Sequence, residues 1–338
     1  MMTNTWDTAV YGLVLLVLAI QILMDDPYQL KKLLSSALVT LLTMSVVALP
    51  WWLSFHSISN GVKMVTEMSP FWQLLVLWGG GLIISSIAFL VEGKGEQKFA
   101  IRTLVVAAVL LIIIPEVVYA KDIYPNHPRA NTMFKLTYQA FIMMGILLGA
   151  TVGKLLDGER TIKLGRRVLA LIVVSLIFLG TMIFPFKAFP TYYNSFKNYQ
   201  GLDGENWMVT RFPETYGAVK YLENNRNGKN MVEAVGDSYT LMNSVSVFSG
   251  VPTIQGWRVH EWLWRGGYDV VASRETEVRD VYQSEDGIKT QTILKKYNVG
   301  WILVGQEEKM AYKINEEKLW QLGKIVWQQG DTYLIKVN

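Results

Sequence analysis

Residues 113–139 read IIPEVVYAKDIYPNHPRANTMFKLTYQ, and the fold turns on what stands to either side of them. The run leaves a long apolar block at Pro115 and Glu116. It crosses a short polar loop with Asp122, His127 and Arg129. It re-enters apolar sequence through Asn131, Lys135, Tyr138 and Gln139. A helix needs about 20 apolar residues to cross the hydrocarbon core. Blocks of that order lie at 100–119 and 133–152, so the stretch reads as a mouth joining two membrane spans. Ionisable side chains at such a mouth point to a site. They also suit a plain interfacial loop whose long side chains reach for water.

Outward from the mouth, four further apolar blocks stand at 8–24, 33–53, 70–91 and 168–186. Lipid offers no partners to open backbone groups, so helices are the expected spanning structure. From about Lys187 the composition becomes that of a soluble domain. The expected fold is a polytopic α-helical membrane domain of about six transmembrane helices, followed by a small extracytoplasmic α/β domain. The expected divisions are 1–186 for the membrane part, 187–207 for an aromatic linker and 208–338 for the α/β part. The last span leaves through FPFKAFPTYYNSFKNY, residues 184–199, whose rings suit the headgroup layer.

Lys and Arg set the orientation. One set of connections carries Lys31, Lys32, Lys94, Lys98, Arg102, Lys154, Arg160, Lys163, Arg166 and Arg167. The other carries only Lys63, Lys121, Arg129 and Lys135. The first set is expected in the cytoplasm. The mouth and everything after Phe186 then share the outer side. A second outer connection, 50–69, opens on Pro50, Trp51 and Trp52 and holds His56; an aromatic belt is the simpler reading of it.

In the soluble part, helices are expected at 213–224, 240–248, 288–297 and 313–322. Strands are expected at 231–235 and 300–304, a strand or turn at 252–256, and a hairpin of 325–328 with 332–336. Short apolar strands among helices imply a small sheet covered by helices.

Several chemistries are excluded. There is no cysteine, hence no disulfide, thiolate zinc site or haem attachment. The three histidines stand far apart, without H-E-x-x-H spacing. No P-loop or G-x-S-x-G elbow occurs, and Gly93-Lys94-Gly95 lacks a preceding strand. The formal net charge of +4 owes much to membrane loops, so nucleic acid is not implied.

Two clusters remain as candidates. At the mouth, Asn131, Lys135 and Gln139 share a helix face, with Tyr138 slightly offset. Lys135 suits a surface phosphate, and Arg129 suits one bidentately. Glu116 and Asp122 suit a divalent cation or a general base. Alternatively Glu116 pairs with Lys135 or Arg129 in a structural ion pair. In the soluble part, QGWRVHEWLWRGG at 255–267 sets Arg258, His260, Glu261 and Arg265 among three tryptophans. Indole faces stack on sugars and cations, and Arg favours phosphate or carboxylate. The alternative is a tryptophan core with locally paired charges. Gly236-Asp237-Ser238-Tyr239 follows a strand, a common place for a ligand loop.

At these clusters the chain resembles the YYY-domain membrane proteins. Glu116, Tyr119, Asp122, Arg129, Asn131, Thr132, Phe134, Lys135, Tyr138 and Gln139 fill the pattern E-x-x-Y-x-x-D, then R-x-N-T-x-F-K-x-x-Y-Q. VEAVGDSYT, SGVPTIQGWRVHEWLWR and LKKYNVGWILVGQEE are similar to the family's C-terminal half. The resemblance implies a relation to the C-type (GT-C) glycosyltransferases, which take sugar from a polyprenyl-phosphate donor on the outer membrane face. It implies catalytic roles for Glu116 and Asp122, with Asp122 also a ligand of a divalent cation such as Mg or Mn. Arg129, Asn131, Lys135, Gln139, His260, Glu261 and Arg265 would then bind substrate and phosphate. The chain is similar to the later half of the family's spans, which implies a piece of a longer protein, a half whose earlier spans a second polytopic chain supplies, or a degenerate member. A non-catalytic binding or assembly subunit of an envelope-polymer pathway is the other expectation.

Overall fold

The computed structural model describes all residues except 1–4, 56–60, 92–94, 122–126, 158–161, 198, 200 and 266, together with the side chains of Thr5 and Trp264. Asp122 and His56, both singled out in the sequence, lie outside the described residues. The chain divides into two compact units, Met1–Ser195 and Phe196–Asn338.

The first unit holds the helices α1 (Thr5–Asp25) and α2 (Leu30–Trp52), the short strand β1 (Val62–Met64), α3 (Phe71–Leu90), α4 (Glu96–Val117), the short strand β2 (Val118–Ala120), α5 (Ala130–Asp157) and α6 (Leu164–Tyr193). Six of its helices are long and apolar enough to cross a membrane, matching the six blocks read from the sequence. On α5 the buried residues Thr132, Leu136, Ala140, Met143, Leu147, Thr151 and Leu155 recur every three or four positions. That stripe meets Ala107, Ala108, Leu111 and Ile112 of α4 and Trp78 of α3 in one core. Small residues at a helix contact let backbones close up, which is how spans associate where lipid removes the hydrophobic drive. Gly81 of α3 belongs to the same device: a Cβ there would stand 2.4 Å from the Met144 sulfur. By contrast α2 buries only Ala48, and α6 only Val174 and Ala188, among their described residues.

One feature of the mouth is invisible to periodicity. β1 pairs antiparallel with β2, Val62 opposite Ala120 and Met64 opposite Val118. Hydrogen bonds from Val65 N to Val117 O and from Lys121 N to Gly61 O, both 2.9 Å, lengthen the ladder. Three-residue strands are too short to leave a pattern of their own.

Where a linker is expected from 187, α6 continues to Tyr193 with Pro185 and Pro190 inside it. It stops where Asn194, Ser195 and Phe196 turn left-handed in succession.

The second unit runs through α7 (Asn206–Arg211), α8 (Pro213–Asn224), β3 (Asn230–Val232), α9 (Ser244–Ser249), α10 (Arg258–Arg265), α11 (Tyr268–Gln283), α12 (Gly287–Lys296), β4 (Val299–Val304), α13 (Gln306–Ala311), α14 (Glu316–Leu322), β5 (Gly323–Gln329) and β6 (Thr332–Val337). Its four strands stand in the order β3-β4-β6-β5. The β3–β4 pair is parallel and the other two are antiparallel. Successive strand side chains face opposite ways. Ile302, Val304, Tyr333 and Ile335 therefore pack with α11, α12 and α14. Trp301, Leu303 and Leu334 pack on the other side with α7, α8 and α9. A sheet buried on both faces explains why β4 is apolar throughout.

The expected α8, α12, β4 and closing hairpin are all present, the hairpin turning at Gly330 with φ +55°. The helix expected at 240–248 shrinks to α9, because Tyr239 and Asn243 take positive φ and α9 starts at the next residue, Ser244. The helix expected at 313–322 begins at Glu316, where the Asn315 side chain accepts the Lys318 N–H at 3.1 Å. The long α11 lies outside the sequence expectations.

Candidate functional site

The mouth is built by three chain ends. Pro115 sits in the last turn of α4, and Val118 is extended, so the chain leaves the helix at Glu116–Val118. α5 starts at Ala130, just after Pro128 and Arg129. Ser69 and Pro70 lead into α3. Glu116, only 7% exposed, is where they meet. Its Oε2 accepts from the Ser69 N–H and from Arg129 Nη1, both at 2.7 Å, and its Oε1 accepts from Ser69 Oγ at 2.9 Å. Arg129 Nη2 donates to Ser69 Oγ at 3.1 Å, closing the ring, and Nη1 also reaches Pro115 O at 3.4 Å. Of the two readings for Glu116, the structure shows an ion pair, with Arg129 rather than Lys135. The carboxylate holds α3, α4 and α5 together at one point. Ser69, its third member, stands 47 residues away, and no motif links them.

Thr132 adds a second tie, accepting the Ala120 N–H at 3.1 Å. Lys135 is differently placed. Its ammonium lies 5.3 Å from the centre of the Trp6 ring. Trp6 in turn lines an apolar cavity of about 390 Å³, walled by Leu13, Leu111, Tyr119 and Leu136. Asn131, Lys135 and Gln139 are all half-buried, while Phe134 and Tyr138 beside them are exposed and stacked on each other at 6.0 Å. The mouth thus presents one cation engaged with carboxylate and a second lying on an indole face.

In the second unit, α10 carries the tryptophan-arginine cluster. Arg258 is consumed structurally: Nε and Nη2 donate to Glu275 at 2.9 and 2.7 Å, and Nη1 to Asp237 at 2.6 Å. Trp257 Nε1 donates to Met242 O at 2.8 Å. Glu261 pairs with Arg265 one turn on and accepts the Gly256 N–H at 3.2 Å. Even so, Trp257, His260, Glu261 and Arg265 line a pocket of about 540 Å³, shared with Asn243 and Ser246. Its volume is that of a small-molecule site. The rings of Tyr239, Trp257 and His260 contact one another at 5.4 to 5.6 Å between centroids. His260 Nδ1 and Ser238 Oγ are 2.6 Å apart, which fixes the imidazole on the pocket wall. Ser238 lies in the loop that the sequence offers as a ligand site, whereas Asn243 and Ser246 stand outside the sequence expectations.

Among the described residues, no three His, Cys, Asp or Glu side chains gather into a metal-binding group. Over residues 1–102 and 82–144 the chain is similar to a family described as Uncharacterized membrane protein (DUF2298). The matched region takes in five of the six spans, wholly or in part, and the Glu116–Arg129–Ser69 ring. No curated protein matches the chain. With six apolar spanning helices and this likeness, the chain is a multi-pass membrane protein.

Proposed function

We propose that this membrane protein handles a polyprenyl-phosphate-linked sugar on the outer face of the membrane, as a glycosyltransferase of the GT-C-like, YYY-domain type. The observation that carries the reading is the apolar cavity beside Trp6, with the Lys135 ammonium on that indole. An isoprenoid chain would lie in the cavity. Lys135 would take the phosphate in a charge-assisted contact. Glu116, already neutralised by Arg129, then acts as frame rather than base. That leaves Asp122, with or without a Mg or Mn ion, as the carboxylate for the chemistry. In the transfer, the bond from the anomeric carbon to the phosphate oxygen breaks. A bond to the acceptor oxygen forms, the carboxylate takes the acceptor proton, and polyprenyl phosphate leaves. Asn131 and Gln139 extend the polar face along α5. His260, Glu261 and Arg265, around the Trp257 face, would bind a sugar ring in the outer domain. The asymmetry of Lys and Arg supports placing the mouth and the second unit on the outer side.

One observation favours the other reading, a binding or assembly subunit. Glu116, expected as a catalytic group, and Arg129, expected to bind phosphate, satisfy each other. A single assay separates the two. Transfer from a polyprenyl-phosphate sugar is measured with the purified chain in proteoliposomes. Lys135→Ala is expected to lower turnover about 10- to 100-fold, the value of one charge-assisted contact of about 1.5–3 kcal/mol. Unchanged turnover removes Lys135 from the site. Absence of transfer by the wild-type chain, with a second polytopic chain co-purifying, supports the assembly subunit.

A further inference from the structure

A cavity of about 380 Å³ opens at the end of the second unit's sheet where β3 and β4 begin and β6 finishes. The Trp257–His260 pocket follows the loop after Val235, beyond the other end of β3. The floor of the cavity is apolar, from Leu294, Val299 and Leu322. Its rim carries Lys229 and Lys295 with the amides of Gln291, Asn298 and Gln321, and no Asp or Glu side chain. Gly300 makes room for Lys229: a Cβ there would stand 2.8 Å from both Cβ and Cδ of that lysine. The lysine stem thus lies against β4. Other lysines of this unit find carboxylates: Lys220 meets Glu205 at 2.6 Å, Lys289 meets Asp280 at 2.9 Å, and Lys296 meets Glu277 at 2.6 Å. Lys229 and Lys295 have no ion pair or side-chain hydrogen bond to any described residue, Asn338 at the rim included. Beside the cavity, Lys324 of β5 stands directly opposite Lys336 of β6, and both are exposed. Like charges in that position repel. The pair does not line the cavity, but it adds to the positive field at its edge.

We propose that this cavity binds a phosphate monoester of a small polyol, with Lys229 and Lys295 on the phosphate and the amides on the hydroxyls. The two ammonium groups come from different elements, the turn before β3 and the last turn of α12, and converge on one space. Lys meets phosphate as a compact point charge. A phosphate monoester carries close to two negative charges at neutral pH, which two free cations match. A carboxylate would leave one cation over. Amide side chains both donate and accept, as hydroxyls do, so they suit the polyol. Inorganic phosphate alone would leave the amides and the apolar floor unused. The volume is that of a small-molecule site. The ester could be free or part of a lipid headgroup, and the chemistry of recognition is the same. The site does not depend on the glycosyltransferase reading.

The test is calorimetric titration of the full chain in uncharged detergent micelles at low ionic strength, with glucose 6-phosphate, glucose and inorganic phosphate as separate probes. Glucose 6-phosphate is expected to bind at about one equivalent per chain, and the other two about tenfold more weakly or worse. Added salt should weaken the binding, because the cations are exposed. Lys229→Gln and Lys295→Gln should each weaken it about five- to tenfold. Both positions are on the surface, so the variants should fold, with an unchanged unfolding temperature as the check. Lys313→Gln removes an exposed charge that does not line the cavity and should leave the affinity as it is. A short-chain inositol lipid bearing a phosphate monoester is then added as competitor. Displacement of glucose 6-phosphate supports the site with a headgroup as its ligand, and no displacement supports it with a free ester. The proposal is overturned if glucose 6-phosphate binds no tighter than glucose, or if either cavity variant keeps the wild-type affinity. It is equally overturned if Lys313→Gln loses as much as they do.

Discussion

Arg129→Ala is expected to destabilise the membrane unit by about 3–5 kcal/mol, the cost of removing one partner from a buried ion pair. The two side chains are 20% and 9% exposed, so water compensates little. After the substitution the Glu116 carboxylate keeps only the Ser69 N–H and hydroxyl as donors. Three chain ends that it holds in register lose a common anchor. Arg129→Lys keeps the charge but lacks the fork that lets Nη1 reach Glu116 while Nη2 reaches Ser69, so an intermediate loss is expected. Glu116→Gln combined with Arg129→Met should recover much of the deficit, because removing both charges leaves no lone buried ion. Unfolding by denaturant in mixed micelles reads all three. A wild-type-like midpoint for Arg129→Ala would mean that the pair is screened and the mouth is held by packing alone.

Tyr282→Ala is the corresponding experiment for the second unit, with an expected loss of about 3–5 kcal/mol. Tyr282 of α11 is fully buried and stacks on Tyr312 with centroids 5.0 Å apart. Its hydroxyl donates between two strands, 2.8 Å from Leu303 O and 3.2 Å from Val232 O. Tyr282→Phe retains the ring and forfeits only that bond, so about 1–2 kcal/mol is expected. The gap between the two variants isolates packing from hydrogen bonding. Burial, together with the nearby acids, holds the phenol well above its ordinary pKa, so neither variant should show new pH dependence near neutrality from this residue. Equal losses in both would place the stabilisation in the hydroxyl instead.

Tyr282 also shows where the sequence was legible and where it was not. Spans announce themselves because lipid demands some twenty apolar residues in a row. The helix α8 and the closing hairpin announce themselves through Pro213 and Gly330. α11 carries a fainter signal: Val271, Val278, Val281 and Tyr282 fall on one helical face. From Ser273 on, polar residues fill most of the other positions, so the helix looks like loop until that face is counted. The end of α6 misleads in the opposite direction. Pro190 with its flanking aromatics reads as part of a linker, yet the helix runs through both Pro185 and Pro190, and membrane helices tolerate proline where neighbouring groups absorb the freed carbonyls.

Sites divide along the same line. Residues within one helix turn, such as Asn131 and Lys135 or Glu261 and Arg265, can be paired from spacing. The Glu116–Arg129 pair was one of two readings that spacing left open, and Lys135 turned instead to Trp6. Ser69 with Glu116, Ser238 with His260, and Glu233 beside Glu308 are joined only by the fold. No periodicity reports such a meeting.

The functional reading rests on compartment, and the absence of cysteine makes it directly measurable. Single variants His127→Cys, Glu285→Cys and Lys31→Cys place a thiol at exposed positions on the mouth, the second unit and the first turn of α2. In intact cells, a membrane-impermeant maleimide is expected to label the first two and to reach the third only after permeabilisation. Labelling that puts positions 127 and 285 on opposite sides of the membrane, or both inside, would contradict the account.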